Sequence, residues 1–441
     1  MEYGMRILLF GFGVTGIASA KVFDALSITY DILDDKKMDA LERVVQEENV
    51  HPDRIYHAYS EIEKKEYDYI LKSPGIPPKH PTVARMIEEK LPLVSDLELI
   101  EKLLPGRHII GITGTNGKTT TVSLVGEILR HDGREVYVTG NIGRGAIYDA
   151  FSANPGAELV VECSSFQLEF VHTFHPEVAG ILNITPDHLD WHGSLAAYEN
   201  AKARIAMSME DGDVFIANAD DLKTSVATRA MTKSISVAGN DATYTIEDGW
   251  ICEMHERILP VEEIKLVGRH NLENVMMAVA VARARGVASE VIREAVRDFH
   301  AVAHRIEFVR ELNGVRYYDD SKGTNVDASI KAIESFDKGI ILIAGGYDKK
   351  VEIAPLFEAF GSRVKALILL GATRFDFERE AKAHGFTNYE IVDTMDDAVK
   401  TAHTKAQAGD VVLLSPASAS WDMYRSYEER GDHFKRLVRA L

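Results

Sequence analysis

Between residues 109 and 120 the chain reads Ile-Ile-Gly-Ile-Thr-Gly-Thr-Asn-Gly-Lys-Thr-Thr, the residue types that a phosphate-cradling loop needs. Gly114 and Gly117 let backbone N–H groups approach phosphate oxygens, Lys118 reaches the terminal phosphates, and the Thr119 hydroxyl suits a magnesium ion. The spacing departs from the usual P-loop. That pattern would put glycine at 112, where Ile stands, so the compressed run Gly114-Thr115-Asn116-Gly117-Lys118-Thr119-Thr120 carries the chemistry. A plain turn has no use for Lys-Thr directly behind its second glycine.

Other polar groups collect at the ends of apolar runs. Leu159 to Val161 ends in Glu162, where P-loop enzymes hold a carboxylate near magnesium, and Gly140-Asn141-Ile142-Gly143 follows the strand Val136 to Val138. The strand Val178 to Ile184 delivers Asp187, His188, Asp190 and His192. Taken alone, Glu162 reads equally well as a solvated strand-end carboxylate and His188 as a satisfied loop histidine; Lys202, on a helix around Tyr198 to Arg204, reads as a solvated lysine.

These residues need strands and helices to hold them. Ile7 to Phe10, then Gly11-x-Gly13-x-x-Gly16, a helix, and Asp34-Asp35 after the strand Tyr30 to Leu33 form a Rossmann-type opening. That signature alone does not require NAD; any nucleotide diphosphate could use it. Ser73-Pro74-Gly75-Ile76-Pro77 follows the strand Tyr69 to Lys72, and such a strand-end loop lies beside a ligand crevice. A helix is expected over 266–285, with Asn271 and Asn274 on one face near its start, where two asparagines suggest polar contacts with a ligand. Ile306 to Leu312 and Val315 to Asp319, joined by Asn313-Gly314, read as a hairpin. Strands Ile340 to Ala344, Ala366 to Leu370 and Val411 to Leu414 then lead into glycine- or serine-rich loops.

Composition bounds the class. A chain of 441 residues, 46% hydrophobic and 27% charged, has the make-up of a globular protein, and its length predicts three domains. The net charge of −18 opposes binding to nucleic acid. No apolar stretch approaches the roughly 18 residues of a membrane helix, and Glu2 with the glycines at 11, 13 and 16 spoils a secretory-signal reading of the opening. Cys163 and Cys252 stand far apart, outside any disulfide or zinc pattern, which fits a reducing, cytoplasmic compartment.

The whole chain resembles the Mur ligase family. The motifs that carry the likeness appear in the family's order: Gly-Thr-Asn-Gly-Lys-Thr, Gly-Asn-Ile-Gly, Glu-x-Ser-Ser-Phe-Gln-Leu, Asn-x-x-x-Asp-His-Leu-Asp, Ala-Lys-x-Arg, His-Asn-x-x-Asn and His-Arg. Asp320-Ser-Lys322-Gly-Thr324-Asn325 and the segment Ser415 to Phe434 resemble the branch that adds D-glutamate; Tyr427 stands where that branch has an aromatic.

The resemblance implies an α/β fold of three domains. Residues 1–96 would form a Rossmann-like domain for a UDP-linked substrate, 97–299 a central P-loop domain for ATP with a parallel sheet and flanking helices, and 300–441 a C-terminal Rossmann-like domain for the amino acid. It implies an ATP-dependent ligase that joins D-glutamate to UDP-N-acetylmuramoyl-L-alanine through an acyl phosphate, with two magnesium ions, acting as a cytoplasmic monomer without nucleic-acid or membrane partners. Thr119 and Glu162 would hold one magnesium. His188 would help hold the second, with Lys202 carbamylated by carbon dioxide. Asn141 would touch the substrate carboxylate or γ-phosphate, Asn271 the adenine, and Arg305 and Asp320 the ATP phosphates and ribose. Val14, Thr15, Asp34, Asp35, Ser73 and Gly75 would hold the uridine diphosphate, and Lys322, Thr324, Lys349, Ser420 and Tyr427 the D-glutamate. Sibling Mur ligases and folylpolyglutamate synthase share the P-loop and lysine helix, though resemblance to the folate enzyme would begin only near the P-loop. A nucleotide switch would use Lys118, Thr119 and Glu162 but leave Lys322, Lys349 and Ser420 unexplained.

Overall fold

The structure is a computed structural model that describes residues 4–36, 51–141, 145–299, 303–348 and 352–441. Three sheets organise it. In the first, the strand Arg6–Phe10 runs parallel to Thr29–Leu33 on one side and to Tyr69–Lys72 on the other, with Ile55–Tyr56 and Leu93–Val94 outermost. Ile7, Leu8, Leu9 and Phe10 are buried on both faces, as a strand in a covered parallel sheet must be. Gly11, at φ 95°, turns the chain into the helix Val14–Leu26. The helix starts hard against the strand end: a Cβ on Gly16 would lie 2.4 Å from the Gly11 carbonyl oxygen.

The second sheet has nine strands. Its parallel part orders Met231–Ile235, Val214–Asn218, Val178–Ile181, His108–Thr113, Glu158–Glu162 and Val136–Gly140. Strand order reverses around His108–Thr113, so its C-terminal end opens a crevice, and the helix Lys118–His131 rises from the loop that follows. An antiparallel meander, Tyr244–Glu247, Trp250–Glu253 and Glu256–Pro260, extends the far edge. The sequence reading did not foresee it, although Asp248-Gly249, with φ of 48° and 77°, is a hairpin signal. The strand expected to reach Ile184 ends at Ile181, and the helix expected over 266–285 spans Arg269–Ala284.

In the third sheet the order is Glu307–Leu312, Val315–Asp319, Val411–Leu414, Ile340–Ala344, Val364–Leu369 and Tyr389–Ile391, all parallel except the first pair. Asn313 and Gly314 both have positive φ, 53° and 75°, as the tight hairpin requires.

Packing divides the chain into two compact units, Met1–Ile264 with Glu273–Asp298, and Lys265–Leu272 with Phe299–Leu441. The first two sheets share one unit and one apolar core, which runs from Ile7 and Leu9 through Leu97 and Ile147 to Leu159 and Val161. Among the described residues no helix is long and apolar enough to cross a membrane.

Candidate active site

Strand His108–Thr113 hands the chain to a loop whose shape is set by glycine. Gly114 has φ 154° and Gly117 φ 87°; a Cβ on Gly117 would fall 2.0 Å from Asn274 Oδ1, so only glycine fits beneath that side chain. The loop is also tied from the neighbouring strand end. Asn116 N donates to Asn183 Oδ1 (2.9 Å), Asn183 Nδ2 donates to Asn116 O (3.2 Å), and Thr115 Oγ1 donates to Thr185 O (3.1 Å). Asn183 and Asn274 therefore support the loop, a role that motif reading did not assign them. Thr120 is buried in the first turn of the helix.

Two lysines converge on this loop. Lys118 Nζ donates to the carbonyls of Gly114 (2.9 Å) and Thr115 (2.8 Å), and Lys202 Nζ donates to Gly114 O (2.8 Å). Lys202 comes from the helix Leu195–Ala203 and is only 1% exposed, so its reading as a solvated lysine is corrected: the helix turns this face inward. Burial, and then the charge of Lys118, push its pKa well below the usual lysine value.

Oxygen donors lie next to them. Thr119 Oγ1 donates to Glu162 Oε2 at 2.8 Å, and Asn141 Nδ2 approaches Glu162 Oε1 at 3.4 Å. Hydroxyl and carboxylate oxygens form the hard donor set that magnesium prefers. Ser164 caps the short helix Ser165–Leu168 through a capping box with Gln167, as the Ser-Ser-Phe-Gln run foretells, and this fixes the chain just after Glu162. His188 has a half-exposed side chain at φ 52°, and its ring and the Lys202 ammonium both border Tyr198 (6.3 and 4.6 Å to the ring centroid). The buried His192 side chain is used internally, against Ser165 Oγ at 3.0 Å. Ile142 and Gly143 and the side chain of Asp190 lie outside the described residues.

At the end of the first sheet, Asp34 accepts from Phe12 N (2.8 Å) and Lys36 N (2.9 Å), bracing the glycine loop. Val14 is exposed, Thr15 half-buried, and Asp35 pairs with His80 at 2.8 Å. Ser73 sits across from Gly11, whose Cβ would lie 2.8 Å from Ser73 Cβ, and Gly75 is exposed. Sequence reasoning missed Lys72 beneath them: it is 1% exposed, and burial lowers its pKa to about 8, with Glu169 opposing the shift.

In the second unit Asp320 is wholly buried. It accepts from Ser415 Oγ (2.7 Å) and Ile306 N (3.3 Å) and lies 3.6 Å from Arg305. Burial raises its pKa to about 6 against the pull of Arg305. Asp320 thus holds Arg305 and the loop after Val411–Leu414 from below. Lys322 lies over the Tyr427 ring at 5.8 Å, Thr324 is half-buried close by in sequence, and Ser420 is buried with its carbonyl accepting from Tyr424 N. Lys349 lies outside the described residues.

The organiser here is Arg430, which lies in the family-like segment Ser415 to Phe434 but was given no role from the sequence. It is 3% exposed and donates to Ser321 Oγ and O and to the carbonyls of Ser418 and Ala419. His304 adds a hydrogen bond to Asp319 (2.7 Å). His304, Asp319 and Glu307 cluster, but Glu307 already pairs with the Lys435 ammonium at 2.9 Å, an ion-pair network rather than a vacant metal set. A cavity of about 410 Å³ in this unit is lined by Val267, Asn271, Ile306, Phe308 and Tyr318. Lys265 and Glu307 also line it, so its walls combine apolar and aromatic surface with an amide and two charged groups, a lining that can take a flat heterocycle with polar edges.

Residues 112–282 match the Mur ligase middle domain and 304–418 the Mur ligase glutamate ligase domain. The UDP-N-acetylmuramoylalanine–D-glutamate ligase of Thermoanaerobacter pseudethanolicus is 41% identical over 450 residues, and that of Clostridioides difficile 41% identical over 446, each alignment covering 99% of both chains. Among solved structures, the UDP-N-acetylmuramate–alanine ligase of Thermotoga maritima is similar with a TM-score of 0.62 at 20% identity over 99% of both chains. The MurF ligase of that organism, in complex with ADP, gives 0.63 at 18% identity over 99% of this chain and 97% of the other. At those identities the structures speak for the fold, while the full-length relatives speak for descent. The chain belongs to the Mur ligase family.

Proposed function

We propose that this protein joins D-glutamate to the L-alanyl carboxylate of UDP-N-acetylmuramoyl-L-alanine, using ATP, as a cytoplasmic step in peptidoglycan precursor synthesis. One observation carries the reading: Lys118, Lys202, Thr119 and Glu162 gather at a compressed phosphate loop in a chain 41% identical, along 99% of its length, to ligases of that printed name.

In this reading a carboxylate oxygen of the acceptor attacks the γ-phosphorus of ATP and ADP departs. The D-glutamate amine then attacks the acyl carbon, phosphate leaves with the C–O oxygen, and the amine loses a proton to form the amide. Activation is needed because a carboxylate oxygen is a poor leaving group and phosphate a good one. Lys118 would exchange its two carbonyl partners for phosphate oxygens, and the backbone N–H groups of 114–120 would cradle them. Asn141, beside Glu162, would orient the acceptor carboxylate or γ-phosphate.

Magnesium, when bound, supplies charge neutralisation between the triphosphate and the acceptor. Thr119 and Glu162 would hold one ion, and His188 with Lys202 the second. Lys202 fits that part only as its carbamate, an anionic oxygen donor. Its low pKa supports this, since carbon dioxide adds to the free amine. Asn271 would meet adenine in the cavity it lines, and Arg305, held by Asp320, the phosphates or ribose. Lys322 and Lys349 would pair the two carboxylates of D-glutamate, with Thr324, Ser420 and Tyr427 around them. Val14, Thr15, Asp34, Asp35, Ser73 and Gly75 would hold the uridine diphosphate. Residues 1–96, 97–299 and 300–441 would divide these tasks as acceptor, ATP and amino-acid domains, in a protein acting as a monomer.

Phosphate release from ATP tests the reading. It should require both the UDP-linked acceptor and D-glutamate; turnover independent of them would overturn it.

A further inference from the structure

Lys72 is the last residue of the strand Tyr69–Lys72, and its side chain is 1% exposed. Its ammonium donates to Ser73 O (3.0 Å) and Ile76 O (2.7 Å) and lies over the rings of Phe170 (4.8 Å) and Trp191 (5.3 Å). Trp191 in turn packs at a tilt on Phe166, centroids 4.2 Å apart, and Phe166 meets the His188 ring edge-on at 4.8 Å. An aliphatic side chain would fill the space between Phe170 and Trp191 without the desolvation penalty of a buried ammonium. The charge is therefore tied to the two carbonyls it holds. They flank Pro74-Gly75, and carbonyl oxygens turned into a diphosphate site would repel the ligand. With both drawn inward, the outer edge at Gly75 meets open space: a Cβ there would have no atom within 4 Å.

We propose that Lys72 is a positioning residue for the UDP-linked acceptor: its buried ammonium pins the 73–76 loop in its anion-compatible form and ties that loop, through Trp191, to the segment that carries His188. This rests on the reading that the first sheet binds the uridine diphosphate, and the test separates the two.

Binding of UDP-N-acetylmuramoyl-L-alanine and of ATP is measured by calorimetry for the wild type, Lys72→Met, and Lys72→Ala with and without propylamine. The expected result is at least tenfold weaker acceptor binding in Lys72→Met, ATP affinity within twofold of wild type, and recovery of acceptor affinity when propylamine fills the Ala variant. A purely packing role would be rescued equally by 1-propanol, which fills the same volume without the charge. Acceptor affinity unchanged in Lys72→Met, or both affinities falling equally, would overturn the proposal. A wild type that does not bind the acceptor would overturn the substrate reading itself, and this proposal with it. Should Lys72→Met not fold, Lys72→Ala carries the comparison alone: weaker acceptor binding with ATP unchanged, recovered by propylamine, supports the proposal, and acceptor affinity unchanged in that variant contradicts it.

Discussion

Lys118 and Lys202 donate to the same oxygen: the Gly114 carbonyl accepts from Lys118 Nζ at 2.9 Å and from Lys202 Nζ at 2.8 Å. Two ammonium groups so placed repel, and the buried one yields its proton more readily. The proposed carbamylation would remove the conflict by making Lys202 anionic beside a cationic Lys118. With carbon-13 bicarbonate, the wild type should show a carbamate resonance that Lys202→Ala lacks. That variant should lose activity by on the order of 100-fold or more, with partial return in added short carboxylates. Full activity in Lys202→Ala would remove the carbamate from the account.

Glu162 is held by Thr119 in a geometry ready for a hard cation. Glu162→Gln keeps the volume but loses the charge, and should raise the magnesium concentration for half-maximal activity by about 10- to 100-fold. A magnesium titration with an unshifted midpoint would mean that Glu162 does not serve the metal.

Gly117→Ala tests the loop's architecture. The added Cβ meets Asn274 Oδ1 at 2.0 Å on a backbone with φ 87°. ATP affinity should fall at least about tenfold, and stability by about 1–3 kcal/mol. Adding Asn274→Ala removes the clash but not the backbone strain, so only part of the stability loss should return in denaturant unfolding.

Lys72 gives a pH signature. Its pKa is about 8 in the folded chain against 10.5 for a free lysine. Between those values the unfolded chain binds the extra proton, so stability rises with pH there; below about 8 both states are protonated and the burial penalty is fully present. The stability of the wild type relative to Lys72→Met should therefore increase from pH 8 to 10.5, by up to about 3 kcal/mol. A difference flat in pH would show that the ammonium is not destabilised by burial.

What the sequence disclosed is what local chemistry dictates. The phosphate loop, the Gly11-x-Gly13 turn and the Asn313-Gly314 hairpin each depend on a few adjacent residues, and each appears where it was read. Burial of Lys72, Lys202 and Arg430 depends on partners far away in the chain, so no spacing rule reveals it. Asp320 is similar: its motif was legible, yet its complete burial, which directs it to Arg305 and Ser415, is a property of the packed sheet. The meander at 244–260 escaped because its strands are short and partly polar, although Asp248-Gly249 marked its first turn.

The most direct test of the central claim is an amino-acid panel with UDP-N-acetylmuramoyl-L-alanine and ATP, reading the ligated product by mass spectrometry. The account predicts product with D-glutamate and none with L-glutamate, L-lysine or diaminopimelate. Product with another amino acid in preference to D-glutamate, or ATP turnover without any product, would contradict it.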